Sequence, residues 1–178
     1  TELKERTFDT YQRLKPRAYT DLPVRIVDID EASISEYGQW PWPRTRLAAL
    51  TRRLADLGAG VVAYDVIFSE PDRTTPSRLA NDLKDSGAPD LDQTLKLLAN
   101  LPDHDQAFAD AIENTGVVLG FAATGAVNDK RPPVRAGIAF VGVNPANVLA
   151  PLRGTVSSLP MLNQKAAGIG GINLSSHD

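Results

Sequence analysis

VRIVDIDEASISEYGQWPWPRTRLAALTRRLADLGAGVVAYDVIFSEP, residues 24–71, is the stretch on which the fold turns. It holds two short runs rich in β-branched residues, VRIVDI at 24–29 and VVAYDV at 61–66, with an amphipathic run between them. Two β-type runs separated by a helical pattern predict a βαβ unit, with parallel strands joined by a right-handed crossover. Ligands usually bind at the carboxyl edge of an open parallel sheet. In this reading Asp28, Asp30 and Asp65 fall at or near that edge.

The crossover helix is well punctuated. Pro43 suits a first helical turn, where a missing N–H costs nothing. Leu47, Leu50, Leu54 and Leu57 recur at three- and four-residue steps and predict one apolar stripe facing the sheet. Arg44, Arg46, Arg52, Arg53 and Asp56 take the other faces, and Gly58 is a natural left-handed stop.

Working outward, residues 1–15 have helical composition with Leu3, Phe8, Tyr11 and Leu14 on one side, and Pro16 and Pro23 mark a linker. Residues 31–37 read as a helical turn closed by Gly38. Thr75 and Pro76 open a helix running towards Gly87, and Asp90 with Gln93 and Asp103 with Gln106 each have capping-box spacing. Residues 117–121 read as a buried strand. A short strand is expected within 135–143, a helix at 159–167 and a last strand at 169–174. The expected fold is therefore α/β, a mainly parallel sheet with flanking helices.

Composition narrows the function. The 178 residues are 42% hydrophobic and carry a formal net charge of -3 without a long basic run, which counts against nucleic acid as the main partner. With no cysteine, thiol catalysis, disulfides and Cys-based zinc sites are excluded. No apolar run approaches the ~20 residues that span a bilayer. No Ser/His/Asp hydrolase signature or phosphate-cradling glycine pattern is present, and no cofactor is expected.

Three features carry candidate chemistry. Asp28-Ile29-Asp30 after an apolar run resembles the opening motif of haloacid-dehalogenase-type phosphatases, in which the first aspartate is the nucleophile and magnesium screens the phosphate. Ala32 stands where that family has Thr or Val, and no clear later Lys with an acidic pair follows. The plainer reading makes Asp30 the cap of the turn at 31–37. Trp40-Pro41-Trp42-Pro43-Arg44 is either a clamp for an aromatic or anionic ligand or a rigid elbow with buried indoles. Arg44 opposes the dipole of the helix it opens, which predicts an acidic partner among Asp28, Asp30, Asp65 and Glu70. His104 and His177 lack metal-ligand spacing and read as solvated.

At VDIDE (27–31), WPWPR (40–44), YDVIFSEPD (64–72), LPDHDQAFADAI (101–112), VVLGF (117–121) and GIGGIN (168–173), the chain resembles CHASE-type extracellular sensor domains of the second class. The resemblance covers essentially the whole chain. It implies a membrane-proximal helix and linker at 1–20 leading from an anchor, and a sensor domain at 21–178 that continues past Asp178 in family members. It further implies location outside the bacterial cytoplasmic membrane, attachment through parent transmembrane helices, and a nucleotide cyclase or a histidine or Ser/Thr kinase as output. The signal would be a small molecule or ion, a homodimer is compatible, and the domain itself would not be an enzyme. The ligand-binding candidates are Asp28, Asp30, Trp40, Trp42, Arg44, Asp65 and Glu70. Two other readings stand beside this one: a metal-dependent phosphatase-like hydrolase using Asp28 and Asp30, and a structural dimerisation module.

Overall fold

A computed structural model describes residues 2–16, 18, 20, 23–86, 91–128, 130–135, 137, 139–148 and 152–173. The chain divides into two compact units, one formed by residues up to Trp40 and the other by Pro41–Asn173.

In the first unit, helix α1 spans Glu2–Leu14 and presents Phe8, Tyr11 and Leu14 to solvent. Helix α2, Glu31–Tyr37, is capped by Asp30, whose Oδ1 accepts from Ser33 N at 2.8 Å and from Ser33 Oγ at 2.7 Å. Those bonds, the hydroxyl's first, hold the Asp30 carboxyl below its ordinary range. Gly38 closes the helix at φ 89°, a left-handed conformation that a side chain would strain.

The predicted strand at 24–29 does not form. Residues 24–30 make no strand pairing, and Val24, Val27 and Ile26, the last 92% exposed, stay in solvent. A β-branched run becomes a strand only where a ladder is offered. The strand expected beside it, β1, is cut to Val62–Ala63, too short an edge to recruit a neighbour.

The second unit is built on β2, Val117–Thr124, whose run of apolar residues was legible in sequence. β1 pairs with it in parallel at Val62–Val117 and Ala63–Val118. β4, Gly168–Gly171, pairs in parallel along 118–121, while β3, Gly154–Ser157, runs antiparallel to 121–124. Val118 is shared by β1 and β4, and Phe121 by β3 and β4. It follows that β1 and β3 lie end to end on one edge of β2 and β4 lies on the other. The four-stranded sheet is thus mixed, only partly parallel where a mainly parallel sheet is expected from sequence, and β3 is a strand the sequence did not announce. The described residues within 135–143 form no strand.

Helix α3 spans Arg44–Asp56, α4 Pro76–Asp85, α5 Asp92–Ala99, α6 His104–Glu113 and α7 Pro160–Lys165. Asp103 caps α6 through Gln106 N at 3.0 Å, as its spacing predicted. Asp90, Leu174 and the 175–178 tail with His177 lie outside the described residues. α6 packs against both α3 and α7, and their core is Leu47, Phe68, Phe108, Ile112, Leu119 and Leu162. The buried face of α3 is Arg44, Leu47, Ala48 and Thr51, turned from the predicted leucine stripe so that Leu57 is exposed. That rotation brings a guanidinium and a hydroxyl into the interior.

Candidate functional site

Three of the sequence motifs meet at the start of α3. Pro43 precedes Arg44 and supplies no side-chain cap, so the first N–H groups of α3 need an outside acceptor. Asp72, 5% exposed, supplies it: its Oδ2 accepts from Arg44 N at 2.7 Å, and its negative charge also answers the helix dipole. Its Oδ1 accepts from both Thr74 N and Thr74 Oγ1 at 2.8 Å, folding 72–74 into a tight turn.

The Arg44 side chain, in a residue 7% exposed, lies between α3, the 68–72 loop and α6. Its Nε is 3.3 Å from Asp105 Oδ1, its Nη2 donates to the Glu70 carbonyl at 3.2 Å, and the guanidinium carbon is 4.4 Å from the Phe68 ring centroid. Asp105, 4% exposed, uses its other oxygen to accept from Asp72 N at 2.8 Å. Phe68 is itself locked by edge-to-face contacts with Tyr64 at 5.6 Å and Phe108 at 5.2 Å. Tyr64 in turn meets Thr51 Oγ1 at 2.8 Å. Since the Thr51 hydroxyl already donates to the Leu47 carbonyl, Tyr64 is the donor of that pair.

Burial sets the charge states. Desolvation lowers the Arg44 pKa, against the pull of Asp105 and Asp72, and raises that of Asp105, against the Asp72 N–H and Arg44. Asp72 suffers the same desolvation, but four donated hydrogen bonds outweigh it and its carboxyl titrates below the ordinary range.

The predicted acidic partner of Arg44 exists, but its identity differs from the four candidates. Asp65 and Glu70 have exposed side chains, and Glu70 contributes only its carbonyl. Asp28 is exposed outside any strand, and Asp30 is engaged as the α2 cap. The partners are Asp72 and Asp105. Both were on the page, inside YDVIFSEPD and LPDHDQAFADAI, but no spacing rule joins a loop to a helix thirty residues on. His104 is also corrected: it is half-buried rather than free in solvent, its Nδ1 lying 3.2 Å from Asp72 Oδ2 and from Thr74 Oγ1. Trp42 is buried, with the Arg46 guanidinium 5.6 Å from its ring, as the elbow reading has it; Trp40, in the other unit, is half-buried. The cluster holds loop to helix.

Open space lies elsewhere. A cavity of about 560 Å³ is walled by β3, the start of α7 and the 128–133 segment, none of it flagged by motif. Its polar groups include Lys130, Arg131, Ser157, Asn163 and Gln164.

The site is thus a mixed α/β domain clamped by a buried charge cluster, with an open cleft beside its sheet. The chain belongs to the CHASE2 domain family, which it matches over residues 1–178. Domains of this family are sensory, generally extracellular, and not catalytic. Neither a curated protein nor a solved structure matches the chain. Among the described residues no helix is long and apolar enough to cross a membrane.

Proposed function

We propose that this chain is the extracytoplasmic sensing domain of a bacterial transmembrane receptor, reading a small-molecule or ionic signal for a cyclase or kinase output and performing no reaction of its own. The observation that carries the reading is the family match along the whole chain. Its motifs WPWPR, YDVIFSEPD and LPDHDQAFADAI go into the buried cluster around Arg44, so they explain a shared scaffold rather than shared chemistry. The strand that would align Asp28 and Asp30 for phosphoryl transfer does not form, which argues against the hydrolase reading. An attached parent membrane span and a homodimeric state belong to the same proposal.

Topology tests it. The domain has no cysteine, so Ser77→Cys on the exposed face of α4 introduces its sole thiol. In bacteria carrying the parent protein with any other cysteines removed, a membrane-impermeant maleimide should label that thiol in intact spheroplasts. Labelling only after lysis would place the domain in the cytoplasm and overturn the reading.

A further inference from the structure

Among the described residues, the charged lining of the cavity beside β3 is Lys130 and Arg131, in a chain whose formal net charge is -3. The cavity volume, about 560 Å³, is that of a small-molecule site.

The wall that carries the two cations is fastened to the sheet. Asn128 Oδ1 accepts from Thr155 N at 3.2 Å, Asn128 Nδ2 donates to the Thr155 carbonyl at 3.3 Å, and Thr155 Oγ1 donates to the Lys130 carbonyl at 2.8 Å. An asparagine side chain thus extends the β3 ladder by one rung. Arg131 curls back on its own segment, giving Nη1 to the carbonyls of Asn128 at 2.9 Å and Lys130 at 2.8 Å. Its Nε and Nη2 are left to donate.

The facing wall is equally fixed. Asn163, 4% exposed, donates Nδ2 to Ser157 Oγ at 3.0 Å and to the Ser158 carbonyl at 2.7 Å. Those bonds set which end of the amide is oxygen, and that Oδ1 is buried without a partner. Because Ser157 Oγ accepts from Asn163, its own proton is left to donate. The remaining wall is apolar, with Pro133, Val156, Leu159 and Pro160.

We infer that this cleft binds a small organic carboxylate. The carboxylate sits against Lys130, Arg131 and the Ser157 hydroxyl, and the apolar body lies along Val156 and Leu159. Charge-assisted hydrogen bonds from a planar guanidinium suit a carboxylate in particular.

4-Hydroxybenzoate is a probe of this shape, and the 178-residue chain is titrated with it while backbone amide NMR shifts are followed. The expected shifts cluster at 155–164 and at Lys130 and Arg131, saturating in a single curve. The Lys130→Ala/Arg131→Ala double variant changes only exposed side chains and should bind at least about tenfold more weakly. The neutral 4-hydroxybenzamide should lose about as much. No shifts at the cleft, equal binding of the amide, or unchanged affinity in the double variant would each overturn the inference. Inorganic phosphate binding there as tightly as the probe would also overturn it, leaving a simple anion site. The inference rests on the sensory reading for its biological purpose, yet the two fail separately: cytoplasmic labelling of Ser77→Cys leaves the titration intact, and an empty cleft leaves the topology intact.

Discussion

At the scale of the residue, the decisive pair is Arg44 and Asp105, charges buried together with a contact of 3.3 Å. A buried ion pair adds little net stability, since desolvation consumes most of its attraction, but removing one member strands the other. Arg44→Met or Asp105→Leu alone should therefore cost about 3–5 kcal/mol, whereas the two together should cost much less than the sum of the singles. Urea denaturation of the four proteins measures the coupling, and additive losses would show that the pair is not coupled. Asp72 makes a second prediction through pH. Its folded pKa lies below its unfolded value, so its stabilisation is complete above the unfolded value and is lost as pH falls through the folded one. Asp105, with a raised folded pKa, acts oppositely and is relieved of its penalty as it takes up a proton. Wild type should thus lose stability most steeply below about pH 4, where Asp72 begins to titrate, and Asp72→Asn should flatten that limb. Parallel acid limbs in wild type and variant would exclude Asp72 as the group responsible. The need for a carboxylate beside Arg44 was legible from its place at a helix start. Which carboxylate was not, because that choice is made by tertiary packing.

At the scale of the element, legibility tracks how far each element depends on itself. α2, α3, α4 and α6 carry their own punctuation in Asp30, Gly38, Pro43, Gly58, Pro76 and Asp103, and all four stand where those residues put them. β2 and β4 were legible as apolar or glycine-rich runs between helices. The failures, at 24–29, 135–143 and 154–157, are all strands, whose existence depends on a partner. VRIVDI has the composition of a strand and no ladder to join, while GTVS at 154–157 has little strand character and is held by β2 on one side and by Asn128 on the other. Gly154 is where that second hold is tightest: a Cβ there would overlap the Ala126 carbonyl and come within 2.8 Å of Asn128 Nδ2. Gly154→Ala should accordingly push the 126–131 segment off β3 and destabilise the domain by about 1–3 kcal/mol. Amide exchange at Thr155, whose N–H bonds Asn128 Oδ1, should quicken. Unchanged protection there would mean that the segment yields without leaving the strand.

At the scale of the whole Pro41–Asn173 unit, one residue joins the cleft to the buried cluster. Phe68 donates its N–H to Ser158 Oγ at 3.0 Å and accepts from Leu159 N at 2.8 Å, and residues 158 and 159 line the cleft. Its ring lies under the Arg44 guanidinium. A ligand that repositions Ser158 and Leu159 therefore acts on Phe68 through two backbone-directed bonds, and through its ring on the group that fixes the start of α3. Such a chain of contacts is only a route; coupling requires that occupancy and cluster alter each other's free energy, and by the same factor in each direction. Ser158→Ala separates route from coincidence, because it removes the acceptor of Phe68 N while leaving the two cations and Ser157 in place. In the wild-type titration with 4-hydroxybenzoate, the amides of Arg44 and Asp72 should shift on the same saturation curve as those of 155–164. In Ser158→Ala the cleft shifts should persist and the Arg44 and Asp72 shifts shrink. Reciprocally, Arg44→Met should change the affinity for the probe by roughly 5-fold, the lower end of ordinary allosteric couplings. Shifts confined to the cleft in wild type, with affinity untouched by Arg44→Met, would show that the cluster is a clamp on the fold and takes no part in signalling.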